Sequence, residues 1–299
     1  MNIDIVKQVT IISGKGGTGK SSIIAAIAKT LQNDIVLADA DVDAADLYLI
    51  FTPEKTKTYD YYGLKKANIN KAECIECGKC KEVCRFKAIS EELIVEETKC
   101  EGCALCFHIC PVCAIKMNDT ISGQFFVSQT RIGEMTHAHL NPGEESSGLL
   151  VAEVRKLAKK IAAEKNKKLV LIDGSPGIGC PVISSLTGTD LAIVVTEPTL
   201  SGFHDLDRIL QLLEQFHIPG YIIINRFDIN EEITNKIIAM HDTNFPIISK
   251  IPYNSIFVTA MLEKKSVVEI ISTDESVSNI QREIVDISNF IQRKLHIDN

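Results

Sequence analysis

Long hydrophobic runs, a basic excess and scattered cysteines are all missing from this chain of 299 residues. No apolar stretch approaches the ~20 residues that cross a bilayer as a helix. The opening MNIDIVKQVTIISG has no basic leader followed by an apolar stretch and a cleavage site. The chain is therefore expected to lack a membrane span and to stay in the cytoplasm. Lys and Arg total 32 against 39 Asp and Glu, a net charge of -7, so there is no basic field of the kind that gives non-specific affinity for nucleic acid. No nucleic-acid partner is expected. All of the ten cysteines except Cys180 lie between Cys74 and Cys113. In a reducing compartment such crowding reads as metal ligation rather than disulfides.

What is present is enough apolar residue, 45%, for one large α/β core with a small module, or for two ordinary domains. Residues 9–13 are a short β-branched run that enters a glycine-rich loop and then the alanine-rich stretch 21–31, which reads as strand, loop and helix. Residues 35–38 read as the next strand. Beyond Leu47 the pattern breaks, and a cysteine-rich block runs to about Ile115. The rhythm resumes with an amphipathic helix over 149–163, strands over 168–172, 191–196, 221–224 and 247–251, and helical stretches near 206–216 and 233–241. This alternation predicts a mostly parallel sheet covered by helices on both faces, with the cysteine block as an insertion. The expected divisions are 1–60 and 121–299 for the two parts of the large domain and 61–120 for the insertion. Ile280, Ile284, Ile287 and Ile291 share helical spacing within 277–295, and the mixed charges of Arg282, Glu283, Asp286 and Arg293 predict a helix packed on the sheet rather than lying on a membrane. The stretch 130–148 reads as a link between the modules. Its His137 and His139 have no metal partner at useful spacing and read as structural, and its Ser146 and Ser147 signal a helix N-cap.

Gly14-Lys15-Gly16-Gly17-Thr18-Gly19-Lys20-Ser21, followed by Ser22, satisfies G-x-x-x-x-G-K-[ST] where a strand passes into a helix. Glycines let the backbone N–H groups wrap around phosphate oxygens. Lys20 then places charge on the β- and γ-phosphates of ATP, Ser21 offers a hydroxyl to Mg²⁺, and the helix N-terminus adds partial positive charge.

With Lys15 as a second lysine in the loop, the sequence resembles the deviant Walker A ATPases, which include MinD- and ParA-type proteins and the nitrogenase iron protein. The resemblance covers essentially the whole chain outside the cysteine block. It implies that Lys15 reaches the partner's phosphates across a nucleotide-dependent homodimer. Leu37-Ala38-Asp39-Ala40-Asp41-Val42-Asp43 is similar to switch I of that family, so Asp41 would position the attacking water and Asp39 would help set the magnesium shell. A carboxylate beside Mg²⁺ stays ionised and can orient water toward the γ-phosphate. Asp43 and Asp46 read as solvated or capping residues. Val170-Leu171-Ile172-Asp173 resembles a Walker B strand, with Asp173 on Mg²⁺ through water, and Gly174-Ser175-Pro176-Gly177 resembles switch II, where the Gly177 amide could sense the γ-phosphate. Asn225 and Pro252-Tyr253 fall where relatives enclose the adenine.

Cys74-x-x-Cys77-x-x-Cys80-x-x-x-Cys84 is followed by the equally spaced Cys100-x-x-Cys103-x-x-Cys106-x-x-x-Cys110-Pro111. Each run is the bacterial ferredoxin pattern, in which the fourth cysteine ligates the other cluster. That pattern assigns Cys74, Cys77, Cys80 and Cys110 to one [4Fe-4S] cluster, and Cys100, Cys103, Cys106 and Cys84 to a second. Zinc also uses C-x-x-C pairs, but it requires neither a third cysteine at equal spacing nor a matching second run. Cys113 stands where such ferredoxins commonly have glycine and reads as a small buried residue. Cys180 lies just past the switch II stretch, where the nitrogenase iron protein has a cluster ligand. It reads here as an ordinary helix-start cysteine.

The combination resembles MinD-superfamily ATPases with an inserted small α+β bacterial-type ferredoxin domain, a group often labelled cobyrinic acid a,c-diamide synthase. No glutaminase module follows the ATPase here to support that activity. The expected cofactors are ATP, Mg²⁺ and two [4Fe-4S] clusters. The expected function is an ATPase that gates electron transfer between its clusters and a partner protein. A cluster-assembly or cofactor-maturation factor and a positioning ATPase with a purely structural insertion are the alternatives.

Overall fold

The computed structural model describes residues 6–42, 45–142, 144 and 148–297. The expected sheet begins with β1 (Lys7–Ile12), α1 (Lys20–Thr30) and β2 (Ile35–Asp39). A short helix, α2 (Leu47–Phe51), and a long strand, β3 (Glu54–Tyr62), follow. The cysteine region holds β4 (Lys66–Ile69), α3 (Lys79–Glu82), α4 (Leu105–Ile109) and β5 (Ile115–Asn118). The chain then makes β6 (Ile121–Thr130), β7 (Gly133–Leu140), α5 (Gly148–Glu164), β8 (Leu169–Asp173), α6 (Cys180–Leu186) and β9 (Leu191–Thr196). It ends with α7 (Leu200–Gln215), β10 (Gly220–Asn225), α8 (Glu231–His241), β11 (Ile247–Ile251), α9 (Ile256–Leu262) and α10 (Glu275–Lys294).

Nine strands form one sheet in the order β11-β10-β9-β1-β8-β2-β7-β6-β3. β1 runs parallel to β8 and β9, β10 to β9 and β11, and β2 to β8 and β7. Alternation along β1 sends Val9 and Ile11 into one apolar cluster and Ile12 into another, so both faces are covered. On the first face α1 buries Ile23, Ile24 and Ile27 completely, and its alanines let it approach the sheet closely. Ile280, Ile284, Ile287 and Ile291 of α10 join that cluster, each at 1% exposure or less. Burial of each such side chain stabilises by about 1.5–3 kcal/mol. α10 is thus packed against protein as its spacing predicts, and among the described residues no helix is long and apolar enough to cross a membrane.

Two stretches correct the expectation of irregular chain. The supposed link 130–148 contains β7, whose Leu37↔Met135 and Ala38↔Thr136 pairings extend the sheet beyond β2. Its polar residues conceal a buried strand: Thr136 bonds the Val154 carbonyl and His137 bonds Ser128. The break after Leu47 contains β3, an edge strand with almost every side chain exposed, whose lysines discourage further pairing. Ser146 and Ser147, read as a capping signal, and Asp43 lie outside the described residues.

The chain divides into two compact units, one of 1–58, 126–138 and 148–299, the other of 59–125 and 139–147. Within the second, β4 and β5 pair antiparallel from Lys66↔Asn118 to Ile69↔Ile115. Their core is small: Ala67, Ala88, Ile89, Leu93 and Ile115 pack with Cys80 and Cys100.

Candidate functional site

The glycine-rich loop lies between the carboxyl end of β1 and the start of α1. Ser13 Oγ donates to the Lys15 carbonyl at 2.9 Å and closes the loop's first turn. Gly19 precedes α1 in the left-handed region (φ 87), and no side chain caps the helix there. Its first-turn amides therefore keep their orphan donors for an anion.

Lys20 is buried at 6% exposure and bonds two carboxylates, Asp41 Oδ2 at 3.3 Å and Asp173 Oδ1 by a short contact. Parallel pairing of β2 with β8 sets Asp39 beside Asp173. Asp39 Oδ1 accepts the Asp41 amide at 3.3 Å. Burial opposes the Lys20 charge, but Asp173 and Asp41 outweigh it and hold the pKa above its ordinary value. Burial first, and then the charge of Asp173, push Asp39 well above the usual carboxylate range. Asp173 is also raised by burial, against the pull of Lys20 and a bond from Ser21. Asp39 Oδ2 and Asp173 Oδ2 are both buried without a hydrogen-bond partner. Excess carboxylate with two orphaned oxygens beside the Ser21 hydroxyl is a donor set that fits Mg²⁺.

The stretches read as switches are tied to this centre. Ser175 Oγ donates to the Ala40 carbonyl at 2.9 Å, and Ala40 N–H donates to the Asp173 carbonyl at 2.9 Å. The Gly177 amide, expected to meet a γ-phosphate, here donates to the Ser13 carbonyl at 2.9 Å. Asp46 is exposed and makes no side-chain cap for α2.

Lys15 does not point into this centre. Its Nζ lies 2.8 Å from Glu197 Oε1, 2.9 Å from Ser201 Oγ and 3.1 Å from Thr199 Oγ1. Asn225, at the end of β10, donates Nδ2 to the Thr18 carbonyl at 2.8 Å, while its Oδ1 and Thr18 Oγ1 are buried without partners. Beside it a cavity of about 130 Å³ is lined by Gly19, Ser22, Asn225, Pro252 and Tyr253. Arg226, Phe257, Val258 and Met261, which belong to none of the sequence motifs, also line it. Glu197 and Thr199 lie outside those motifs as well. Their available signal was position: they follow β9, the strand beside β1, at the carboxyl edge where ligands of parallel sheets sit.

In the second unit the cysteines surround two cavities. One is lined by Cys74, Cys77, Cys80 and Cys110, the other by Cys84, Cys100, Cys103 and Cys106. Each therefore takes three cysteines from one run and the fourth from the other. Ala88 N–H donates to Cys84 Sγ at 3.4 Å and Ala114 N–H to Cys110 Sγ at 3.3 Å. Positive φ recurs at matching places in the two runs: Glu76 and Gly102, Gly78 and Ala104, Lys87 and Cys113. Cys113 itself corrects the expectation of a small buried residue, being exposed with φ 54. The preference for glycine there is one of backbone conformation rather than of space. Burial raises the Cys80 and Cys106 thiols above their ordinary pKa, so their thiolates call for nearby positive charge. Among the described residues no three His, Cys, Asp or Glu side chains close on a point that would hold a single metal ion. Four soft donors around a cavity fit a polynuclear iron-sulfur group better than one zinc ion. Cys180 is exposed at the first position of α6.

A strand, phosphate loop and helix at the carboxyl edge of a mostly parallel sheet, with lysine and serine opening the helix, define a P-loop nucleotide-binding protein. The family model described as "CobQ/CobB/MinD/ParA nucleotide binding domain" matches residues 9–267, and the chain belongs to that family of nucleotide-binding ATPases. It is 34% identical over 231 residues to an uncharacterized protein of Methanocaldococcus jannaschii, covering 76% of this chain and 81% of that one. A stretch of 52 residues is 38% identical to the pyruvate synthase subunit PorD of Methanothermobacter marburgensis, 17% of this chain and 64% of that protein. Among solved structures, the septum site-determining protein MinD of Pyrococcus horikoshii, complexed with Mg-ADP, superposes with a TM-score of 0.60 at 15% identity, covering 98% of both chains. At that identity the likeness concerns the fold.

Proposed function

We propose that this chain binds and hydrolyses Mg-ATP and couples the cycle to electron transfer through two [4Fe-4S] clusters. The observation that carries the reading is the crossed grouping of eight cysteines into two sets of four around separate cavities. Cys74, Cys77, Cys80 and Cys110 would hold one cluster, and Cys84, Cys100, Cys103 and Cys106 the other. Such clusters supply one-electron chemistry when bound.

On the nucleotide side, the amides of Gly14, Gly16, Gly17, Thr18 and Gly19 would wrap the phosphates, and Lys20 would leave Asp41 and Asp173 to bind β- and γ-oxygens. Ser21, Asp39 and Asp173 would hold Mg²⁺, and Asp41, freed from Lys20, would orient the attacking water. The Gly177 amide would exchange the Ser13 carbonyl for a γ-phosphate oxygen. Ser22, Asn225, Pro252 and Tyr253 would enclose the base. Lys15 would act across a nucleotide-dependent homodimer. The cysteine runs follow the switch I stretch in sequence, which favours coupling of the two activities.

Iron and acid-labile sulfide analysis of protein purified without oxygen tests the reading. About eight irons per chain are expected for two four-iron clusters; zinc, or no metal, sinks it. EPR of the reduced protein should change on adding Mg-ATP, and identical spectra together with identical electron delivery remove the coupling. Exposure of Cys77 and Cys103 favours a second reading, cluster donation, which rapid transfer of clusters to an apo-ferredoxin would support.

A further inference from the structure

Lys15 is held by a side chain that belongs to none of the motifs. Glu197, 9% exposed, places Oε1 at 2.8 Å from Lys15 Nζ and Oε2 at 3.0 Å from Arg226 Nη1. The hydroxyls of Thr199 and Ser201 that complete the Lys15 site lie at the N-terminus of α7. A helix N-terminus carries partial positive charge, which disfavours a lysine ammonium there. Two hydroxyls and an unfavourable dipole would not retain Lys15, so the Glu197 carboxylate is the element that does. Arg226 is also unusual. It takes up a left-handed conformation (φ 55) that a non-glycine residue pays strain to adopt, and from there it both fixes Glu197 and lines the cavity beside Asn225.

We propose that Glu197, oriented by Arg226, is a positioning residue that keeps Lys15 on its own chain and sets the nucleotide concentration at which the lysine becomes available to a second copy. This rests on the cross-dimer role of Lys15. Because Arg226 lines the cavity that would receive the base, an occupant there shares a residue with the Lys15 tether. Entry of nucleotide and release of Lys15 then become linked through one carboxylate.

The test uses the full chain, purified without oxygen, as wild type, Glu197→Gln, Ser201→Ala, Lys15→Ala and the Glu197→Gln/Lys15→Ala double variant. In the nucleotide-free monomer, acetylation of Lys15 by acetic anhydride, followed by mass spectrometry, should run about tenfold faster in Glu197→Gln and about twofold faster in Ser201→Ala, as expected for loss of a part-buried ion pair and of one hydrogen bond. Equal Lys15 rates in all three overturn the tether whatever the oligomeric behaviour. Sedimentation with Mg²⁺ and a non-hydrolysable ATP analogue should give a dimerisation midpoint about tenfold lower in Glu197→Gln than in wild type, with no dimer from either variant lacking Lys15. An unshifted Glu197→Gln midpoint, with wild type dimeric and Lys15→Ala monomeric, overturns the threshold role and leaves the cross-dimer role standing. A Lys15→Ala variant that dimerises like wild type overturns both. Should Glu197→Gln fail to fold, Glu197→Asp, whose shorter side chain draws the carboxylate away from Lys15, takes its place in both measurements, and a Lys15 acetylation rate and dimerisation midpoint equal to wild type reject the proposal.

Discussion

Alanine substitutions at three loop glycines separate backbone strain from collision. A Cβ on Gly16 meets nothing within 4 Å, and its φ is not in the left-handed region, so Gly16→Ala should alter stability by no more than about 0.5 kcal/mol. Gly17 also has open space but a φ of +82, so alanine there incurs strain alone, about 1–2 kcal/mol. Gly19 combines a φ of +87 with a Cβ that would stand 2.3 Å from Asn225 Nδ2. To make room, Asn225 must give up its 2.8 Å bond to the Thr18 carbonyl. Asn225 is 5% exposed, so water replaces that bond poorly and the loss adds about 1–3 kcal/mol. Gly19→Ala should therefore cost about 2–5 kcal/mol in total. Urea unfolding of the nucleotide-free protein, followed by far-UV circular dichroism, would rank the variants. Asn225→Ala has already given up the bond to the Thr18 carbonyl, so adding Gly19→Ala in that background should cost the strain alone, about 1–2 kcal/mol. The reasoning is refuted if Gly19→Ala is no worse than Gly17→Ala, or if removing the Asn225 side chain leaves the difference intact.

Lys20→Ala takes the ammonium from Asp41 and Asp173, both at 6% exposure or less, and should cost about 3–5 kcal/mol as well as nucleotide binding; wild-type unfolding midpoints would contradict this. Burial, reinforced by Lys55, holds His137 at a pKa of about 4 against 6.5 when unfolded, so between those values the unfolded chain binds the extra proton. Stability from the buried neutral ring is complete above pH 6.5 and lost as pH falls toward 4, by about 3 kcal/mol. His137→Gln should flatten that slope in urea melts at stepped pH. Cys84→Ser should remove the cluster proposed for Cys100, Cys103 and Cys106 and halve the iron to about four per chain. Loss of the EPR signal belonging to the Cys74 set instead would contradict the crossed grouping.

Local signals made much of the architecture legible. A strand ending in glycines, the apolar runs ending at Asp39 and Asp173, and the isoleucine spacing of α10 all lie within a few residues of the features they predict. β7 escaped notice because a buried strand containing Thr136 and His137 does not look apolar; only partners elsewhere in the chain, the Val154 carbonyl and Ser128, make those residues acceptable inside. Glu197 and Arg226 escaped for a related reason. Nothing near Lys15 in sequence shows that adjacent parallel strands will bring the end of β9 beside the end of β1. The cysteines that line each cavity are those the bacterial ferredoxin pattern groups together, because that pattern pairs three cysteines of one run with the fourth of the other.

The crossing makes the two halves of the cysteine region mutually dependent. Each half supplies three side chains to one cavity and a single one to the other, so neither can complete a site with its own residues. A deletion that shifted either run would injure both sites, and an excised half would have to find a second copy of itself to recover four donors.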